Sequence, residues 1–480
     1  MDKNYLTLNS RGNTLKALKT VGCRMFKKVE IWVLYLIILL CAIFTIIFGA
    51  LVRDALIPGS TLKKYNLSWV SETALFLASI PKHTKELFSG SDLSVPDRFP
   101  SLDGFSGTPN SKESYLLHSR YDGDKQESVI ELVNLTNFNI VHTWNPDIDL
   151  FNNEIKKKGV FKYLDRDEHN ARARLKHPKL TKDGGLLFRH YVLRKIDQCS
   201  NLIFQNKNHR VHHSIELDNH ENIWIPTRIY PSKLPISKVG DKFIDDGGYL
   251  DDVIAKFSPE GEIIFEKSVS EILIDNGLEY LLFSVGDAKF THDPIHLNDI
   301  QPVNFDGKHW KKGDVFLSLR NQSMIILYRP SNNKIIWKST GPYFYQHDVD
   351  ILDENRISIF NNNTKVFNKE MVVDGNNEVV VYDFTTNKYS SYLKDSLAKN
   401  EVMTITEGRS EILTNGDLFI EESNYGRILY FNADGTLRWS HLNRSDNGGT
   451  YHVSWSRILH SQEDIKIVQK FITNKKECNV

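Results

Sequence analysis

The 480-residue sequence is poor in cysteine and in net charge, and each shortage excludes a class of protein. Four cysteines, two of them in or before an apolar N-terminal run, cannot supply a disulfide framework or a CxxC metal site. Sixty basic residues balance 60 acidic residues, which excludes a strongly basic nucleic-acid-binding protein. We expect the remaining pair, Cys199 and Cys478, to be free thiols, and a bridge between them is the alternative.

Several motifs of nucleotide-binding and hydrolytic enzymes are also missing. The sequence has no Gly-x4-Gly-Lys-Ser/Thr loop, no Gly-x-Ser-x-Gly turn and no His-Glu-x-x-His pair. We therefore expect no cofactor. The acidic run DDGGYLDD at 245–252 is interpreted as a solvated turn, with a Ca²⁺ site as the alternative.

A long apolar run lies near the N-terminus. Residues 31–52, IWVLYLIILLCAIFTIIFGALV, contain no charged side chain and would form a helix about 33 Å long, enough to cross a bilayer. The preceding residues 1–30 are rich in Lys and Arg. We predict an uncleaved single-pass membrane helix, with residues 1–30 as a cytoplasmic tail and the rest outside, in the periplasm of a bacterium.

The remaining chain divides at about residue 112. Residues 53–112 predict a juxtamembrane helix over 69–90, broken at Pro81, followed by a linker rich in Ser, Pro, Asp and Gly. From residue 113 to 480 the pattern changes to short β-type runs between Gly, Asn and Asp turns. This segment predicts an all-β catalytic or binding domain.

A turn followed by an apolar strand and an aromatic residue recurs six times in this domain, at intervals of roughly 50 to 70 residues. One four-stranded sheet per repeat gives a six-bladed β-propeller, which removes most free strand edges by closing a ring. A β-sandwich with a second β domain is the alternative. We predict that the run 454–469 supplies the strand that closes the ring with residues near 114–133. The repeated aromatic positions are Trp144, Phe204, Phe265, Trp337, the segment 385–392 and Trp439.

Several of the 17 histidines stand where a strand of the channel wall would begin. Because the innermost strands of a propeller start at one mouth of its channel, these residues should converge on one pocket with Arg320. A pocket rich in imidazole and guanidinium binds an anion through charge-assisted hydrogen bonds. The strand-initial residues are His213, His296, His347 and His452, and Arg409 holds the same place in another repeat.

Other interpretations of these residues remain open. Each histidine alone is typical of a core or turn position, and three at a channel mouth can hold Zn²⁺. The neighbouring Asn298 and Arg320 count against a metal because a guanidinium repels a cation, whereas Asp299 and Asp348 favour it. The alternative functions are therefore a metal-dependent hydrolase or lyase and a membrane-tethered binding propeller without catalysis.

The stretch 291–363 carries HLND, then GDVFLSLR, then QHD ahead of ISIFNNN, in this order. It resembles the arylsulfotransferase family, whose pattern has H-x-N before a strand, then G-D and S-x-R, then Q-H before h-S-h-F-[DN]-N. VHTW at 141–144, the run 212–226 and the run 425–439 are also similar. The resemblance covers about residues 113–445.

The resemblance implies a six-bladed propeller and a sulfotransferase that does not use nucleotide sulfate. Such an enzyme moves a sulfuryl group from an aryl sulfate ester to a phenolic acceptor through a sulfohistidine. The site residues that it implies are the nucleophile His347, the sulfate and leaving-group contacts His296 and Asn298, the anion-binding Arg320, and His213 or its neighbour His212.

Some expectations concern the neighbours of these residues. Imidazole titrates near neutral pH, so the other site histidines would exchange a proton with the phenol. Tyr343, Phe344 and Tyr345 either stack on the aryl ring of a substrate or pack between blades. We do not expect Asp348 to orient His347, because adjacent strand residues point to opposite faces.

Overall fold

The computed structural model gives the fold for most of the chain. The described residues are 30–56, 61–88, 93–229, 232–234, 249–283, 292–367, 370–474 and 478. Contacts divide the chain into two units, Met1–Ser91 and Asp92–Val480. The predicted basic tail up to residue 29 and residues 245–248 of the acidic run lie outside the described residues.

The described part of the first unit contains the helices Ile31–Leu56, Thr61–Lys64 and Ser68–Phe88. The first has a mean hydropathy of 3.0 and no buried side chain. By length and composition it is either a membrane span or a signal sequence. Pro81 lies inside the third helix rather than breaking it, because proline removes one backbone N–H while the flanking turns keep theirs.

The second unit is built on six antiparallel sheets that follow one another along the chain as the blades of a β-propeller. The strands of blade 2 are Lys176–Leu180, Leu186–Arg189, Leu193–Ile196 and Leu202–Gln205. Those of blade 3 are Glu216–Leu217, Ile223–Ile229, Asp251–Phe257 and Ile263–Ser268, and Arg210–Val211 also pairs with Ile223–Ile229. Those of blade 4 are Leu297–Pro302, Val315–Leu319, Met324–Arg329 and Lys334–Thr340.

Blades 5 and 6 each carry an addition to the four-stranded pattern. The strands of blade 5 are Val349–Ile351, Arg356–Asn361, Glu378–Asp383 and Lys388–Tyr392, and an inserted hairpin consists of Thr364–Phe367 and Glu370–Val373. The strands of blade 6 are Arg409–Ile412, Leu418–Glu422, Arg427–Phe431 and Leu437–Leu442. The strand Gly104–Gly107, from the segment interpreted as a linker, pairs with the outer edge of blade 6.

The ring closes in blade 1, whose strands come from both ends of the propeller. Arg457–Leu459 pairs antiparallel with Tyr115–Asp122, and Glu127–Asn134 and Asn139–Trp144 follow outward. The six-bladed architecture predicted from the repeat is confirmed. The closing strand falls within the run 454–469, as the sequence indicates.

The end of that run is a helix, Gln462–Thr473, which the all-β interpretation of residues 113–480 did not predict. Ser461 and Asp464 form a capping box that satisfies backbone N–H groups at the first turn. Val468 and Phe471, on one helix face, are buried in the cluster that contains Trp144.

The all-β prediction is too narrow for the chain as a whole, since 23% of the residues are helical. Short helices join strands within the second unit, and they are too short to show a helical period in the sequence. Val269–Asp275, for example, is defined at its start by the N-cap Ser268 rather than by an apolar repeat. The others are Ile148–Asn152, Leu164–Asp167, Tyr280–Phe283 and Lys394–Lys399.

Charged side chains from different innermost strands meet in the central channel. Arg457 of blade 1 donates to Glu216 of blade 3 at 2.5 Å, and Lys179 of blade 2 lies 3.5 Å from the same carboxylate. Blades 1 and 3 are not neighbours in the ring, so these strands must face the axis. The apolar core lies between the blades, where Trp144 and Trp439 are fully buried at predicted repeat positions.

Cys199 and Cys478 form a disulfide, so the expectation of two free thiols is wrong. The two cysteines are 279 residues apart in sequence. Ring closure and the C-terminal helix bring the chain end back to blade 2, and this proximity is not visible in the sequence.

Replacing Cys478 by Ser should lower the free energy of unfolding by about 2–4 kcal/mol, because the unfolded chain loses a long-range cross-link. Urea unfolding measured with and without reductant tests this. Reductant should bring the native chain to the stability of the variant and leave the variant unchanged. A variant as stable as the oxidised native chain would contradict the cross-link.

Candidate active site

A left-handed backbone residue stands close to the start of the innermost strand in every blade, with φ between 53° and 65°. Residues other than glycine rarely adopt this conformation, and those that do are concentrated at functional sites and turns. The same device therefore places side chains from six distant segments at equivalent positions around the ring. In blades 1 to 6 these residues are Trp455, His177, His213, His296, Tyr345 and Glu407.

Three histidines from blades 3, 4 and 5 lie together. His213 Nε2 is 3.0 Å from His296 Nε2, and the ring centres of His213 and His347 are 6.1 Å apart. On its other side, His296 Nδ1 lies 2.5 Å from Asp293 Oδ2. The structure thus brings together three of the histidines selected from the sequence.

The hydrogen bonds of His347 define which ring nitrogen carries the proton. Asn362 donates through Nδ2 to the backbone oxygens of Thr404 and Glu407, so its Oδ1 faces His347 Nδ1, 2.6 Å away. Nδ1 therefore carries the proton. Nε2 carries the lone pair and accepts the backbone N–H of Glu407 at 3.1 Å.

Burial keeps the three imidazoles neutral. Burial lowers the pKa of His347 to about 3, and the nearby Arg320 guanidinium adds to the effect. Burial, together with the neighbouring His296, lowers the pKa of His213 well below its usual value. Burial also lowers the pKa of His296, although the hydrogen bond to Asp293 opposes the shift. At pH 7 His347 thus presents a neutral lone pair, the nucleophilic form of imidazole.

Arg320 and Asn298 add hydrogen-bond donors to this group. The Arg320 guanidinium lies 5.1 Å from the ring centre of Tyr345, and its Nε donates to Asn321 Oδ1 at 3.0 Å. Asn298 Nδ2 donates to the Gln346 backbone oxygen at 3.0 Å. The Asn298 Oδ1 is buried and has no partner among the residues described. A planar guanidinium beside amide groups suits an oxyanion.

Three other residues selected from the sequence have partners outside the imidazole group. His212 Nε2 lies 3.1 Å from the Asp252 carboxylate, so of the adjacent histidines only His213 contacts His296. Arg409 Nε lies 3.6 Å from the Asp348 carboxylate inside the channel. His452 Nδ1 lies 2.9 Å from a backbone oxygen.

The aromatic residues before His347 have different environments. Tyr343 is fully buried and its hydroxyl donates to a backbone oxygen, so it packs between blades. Phe344 is 44% exposed, and Tyr345 lies beneath the Arg320 guanidinium. Phe344 and Tyr345 therefore remain the candidates for contact with an aryl ring.

The carboxylates that favoured a metal site accept backbone N–H groups in the channel. Asp299 Oδ2 accepts from Val349 at 3.0 Å, and Asp348 Oδ2 accepts from Ser410 at 3.1 Å. Burial, together with the charge of Asp348, raises the pKa of Asp299 well above its usual range. Over the described ranges of the chain, no three His, Cys, Asp or Glu side chains are grouped so as to hold a metal ion.

A second charged cluster escaped the sequence analysis. Arg174 Nη2 and Lys176 Nζ lie 2.7 Å and 3.3 Å from the Glu407 carboxylate. The cationic groups of Arg174, Lys176 and Arg189 lie 5.8, 5.1 and 5.7 Å from the Trp455 ring centre. The available signal was the run RLKH, residues 174–177, at the start of the innermost strand of blade 2. The weak aromatic repeat of that blade made the position of this strand hard to recognise.

Comparison with known families agrees with the motifs. The sequence matches the arylsulfotransferase (ASST) family over residues 180–444, which is more than half of the chain. The protein belongs to the arylsulfotransferase family and is an enzyme of that class. The resemblance inferred from the motifs is confirmed. A comparison with curated protein sequences finds no match.

Several solved structures are similar to this chain at low identity. A protein of unknown function from Bacteroides caccae is 12% identical with a TM-score of 0.45, and the match covers 73% of this chain and 100% of that one. TolB from Acinetobacter baumannii is 10% identical with a TM-score of 0.39, covering 82% and 73%. Virginiamycin B lyase from Staphylococcus aureus is 10% identical with a TM-score of 0.30, covering 55% and 69%.

Replacing His347 by Asn should make the stability of the fold less sensitive to acid. Below pH 6.5 an unfolded His347 gains a proton, whereas the folded imidazole, with its pKa near 3, stays neutral. The native chain therefore loses up to about 1.4 kcal/mol of unfolding free energy per pH unit through this residue. Urea unfolding at pH 7, 6 and 5 compares the slopes, with the exposed His220→Asn as control. Equal slopes in the His347 variant and the native chain would contradict a buried neutral imidazole.

Proposed function

We propose that the enzyme transfers a sulfuryl group from an aryl sulfate to a phenol through a covalent sulfohistidine at His347 Nε2. Family membership supports the overall reaction. The observation that carries the mechanism is the defined tautomer of His347, in which Asn362 holds the proton on Nδ1 and leaves the lone pair on Nε2. A covalent intermediate divides one difficult transfer into two easier displacements.

In the first displacement, Nε2 of His347 forms a bond to sulfur while the bond from sulfur to the aryl oxygen breaks in line. Before the reaction the Glu407 N–H donates to the lone pair of Nε2 at 3.1 Å. This hydrogen bond breaks when Nε2 bonds to sulfur, and the N–H then donates to a sulfuryl oxygen. The Arg320 guanidinium supplies further donors to the sulfuryl oxygens. Asn298 Nδ2 has two N–H groups; one bonds the Gln346 backbone oxygen, and the other donates to a sulfuryl oxygen. Such preorganised donors contribute much of the rate in transfers of anionic groups.

The paired imidazoles of His213 and His296 act as the general acid and then as the general base. The bound anionic donor favours an added proton on this pair, and the Asp293 carboxylate stabilises it from the far side. The pair gives this proton to the departing phenolate and recovers one from the incoming phenol. In the second displacement the phenol oxygen bonds to sulfur, and the electrons of the S–N bond return to His347.

Replacing His347 by Asn should abolish transfer, because the nucleophile is lost. Replacing Arg320 by Gln should slow transfer by roughly 10²–10³-fold, because one charged donor to the sulfuryl oxygens is lost. The full chain in detergent is incubated with a chromogenic aryl sulfate and a panel of phenols, and release of the chromophore is followed. The transferase proposal requires that release beyond one equivalent of chromophore per enzyme molecule depend on an added phenol.

The exposed His220→Asn variant is the matched control and should keep the native rate. Continued release over many turnovers that is equally fast without a phenol would identify a sulfatase, and no release with any phenol would contradict the reaction. A near-native rate in the His347 variant would contradict the nucleophile.

We also propose that residues 31–52, within the helix Ile31–Leu56, are an uncleaved membrane anchor, with residues 1–30 in the cytoplasm and the catalytic domain, 113–480, outside it. Residues 53–112 then connect the membrane to the catalytic domain. The disulfide between Cys199 and Cys478 supports placing the catalytic domain outside the cytoplasm, because disulfides persist in oxidising compartments. The basic residues before the helix support the same orientation.

Protease treatment of spheroplasts that express the chain should degrade the propeller but spare an N-terminal tag. Inverted membrane vesicles should give the reverse pattern. A purified chain that lacks the tag would identify a cleaved signal sequence, and a protected propeller in spheroplasts would contradict the orientation.

A further inference from the structure

The charged cluster around Trp455 holds more positive charge than its carboxylate balances. Arg174 and Lys176 share the carboxylate of Glu407. In the part of the chain that the structure describes, Arg189 has no carboxylate within ion-pair distance. Three cations against one anion in a buried place cost free energy through repulsion and desolvation. A bound anion would offset that cost.

Arg189 carries an unused donor. Its Nε donates to the His213 backbone oxygen and its Nη1 to the His190 backbone oxygen, at 3.4 Å for the latter. The residue is 3% exposed, and its Nη2 has no partner among the described residues. Buried guanidinium groups normally have their N–H groups satisfied, so this one is available for an acceptor from a ligand.

The groups around Arg189 are also incompletely paired. His177 stacks on Trp455 at 4.7 Å, and neither of its buried ring nitrogens has a partner within the described ranges. Burial and the charge of Arg174 lower the pKa of Lys176 to about 7. Burial lowers the pKa of Arg189 to about 9.

The cluster adjoins the sulfuryl site through two residues. Arg189 donates a hydrogen bond to the backbone oxygen of His213. The Glu407 backbone N–H donates to His347 Nε2, and the Glu407 carboxylate accepts from Lys176. The side chains of Lys176 and Glu407 are 13% and 17% exposed, so the cluster is open on this side.

We propose that Arg189 and Lys176 bind a carboxylate of the aryl substrate, as a second anion subsite beside the sulfuryl site. This inference rests on the proposed function, because it names the class of substrate that the same site accepts. The bound carboxylate accepts the free Arg189 N–H and pairs with the Lys176 ammonium, while the phenolic oxygen or sulfate of the same molecule faces His347. Either the donor or the acceptor can carry the carboxylate.

The test compares hydroxybenzoates with their methyl esters, which differ in the charge of one substituent. Meta and para isomers are used as acceptors with a neutral aryl sulfate, and their sulfate esters are used as donors with phenol. The native full chain should prefer a carboxylate over its ester by roughly 10- to 100-fold in kcat/KM. The preference should fall to about one in Arg189→Gln and in Lys176→Gln, and it should persist in the exposed Arg356→Gln.

Because the preference is the ratio of two kcat/KM values measured on the same variant, a general loss of activity does not change it. A preference in the acceptor series assigns the carboxylate to the acceptor, and one in the donor series assigns it to the donor. Equal kcat/KM for carboxylate and ester in the native chain, or a preference that survives both substitutions, would overturn the subsite. Absence of transfer with every substrate would instead overturn the proposed function.

Binding without turnover gives an independent measurement. Isothermal titration of benzoate into the full chain should show a site whose affinity falls at least 10-fold in Arg189→Gln and in Lys176→Gln. Lys176 is the less buried of the two residues. If Arg189→Gln fails to fold, the Lys176→Gln variant still tests the subsite. Benzoate affinity equal in the native chain and both variants would overturn the subsite.

Discussion

Ring closure is the constraint on which the site depends. The antiparallel pairing of Arg457–Leu459 with Tyr115–Leu117 joins the two ends of the propeller and fixes the innermost strands around one channel. Each of these strands has a residue with a left-handed backbone conformation just before it or near its start, and this conformation is unfavourable by itself. Only a closed and well-packed ring can hold six such positions together, so the active site is a property of the whole propeller rather than of any one blade.

The same burial that stabilises the blades determines the chemistry at their mouth. Removal from water keeps the imidazoles of His213, His296 and His347 neutral, and the Asn362 hydrogen bond then selects the nitrogen that reacts. Neutral imidazoles tolerate the nearby guanidiniums because they add no positive charge. The surplus of cations is therefore available to an anionic substrate, and Glu407 connects it to the nucleophile.

Features that repeat along the chain could be predicted from the sequence, whereas contacts between distant segments could not. The recurring turn and aromatic residue predicted six blades, and three of the four strand-initial histidines, His213, His296 and His347, lie together in the structure. The disulfide and the Trp455 cluster depend on contacts that only ring closure creates, so no local pattern announces them. The helix Gln462–Thr473 was missed although its capping box and apolar spacing are visible, because the expected closing strand overlapped its start. The adjacent His212 and His213 could be distinguished only by their contacts with Asp252 and His296.

The central claim is that a neutral His347 Nε2 attacks sulfur. The most direct measurement is rapid quenching of the full chain with an aryl sulfate and no acceptor, followed by mass spectrometry of its peptides under alkaline conditions. The account predicts one sulfuryl group, located on His347, which disappears when a phenol is added before the quench. A sulfuryl group on His213 or His296, or rapid transfer without any adduct, would contradict it.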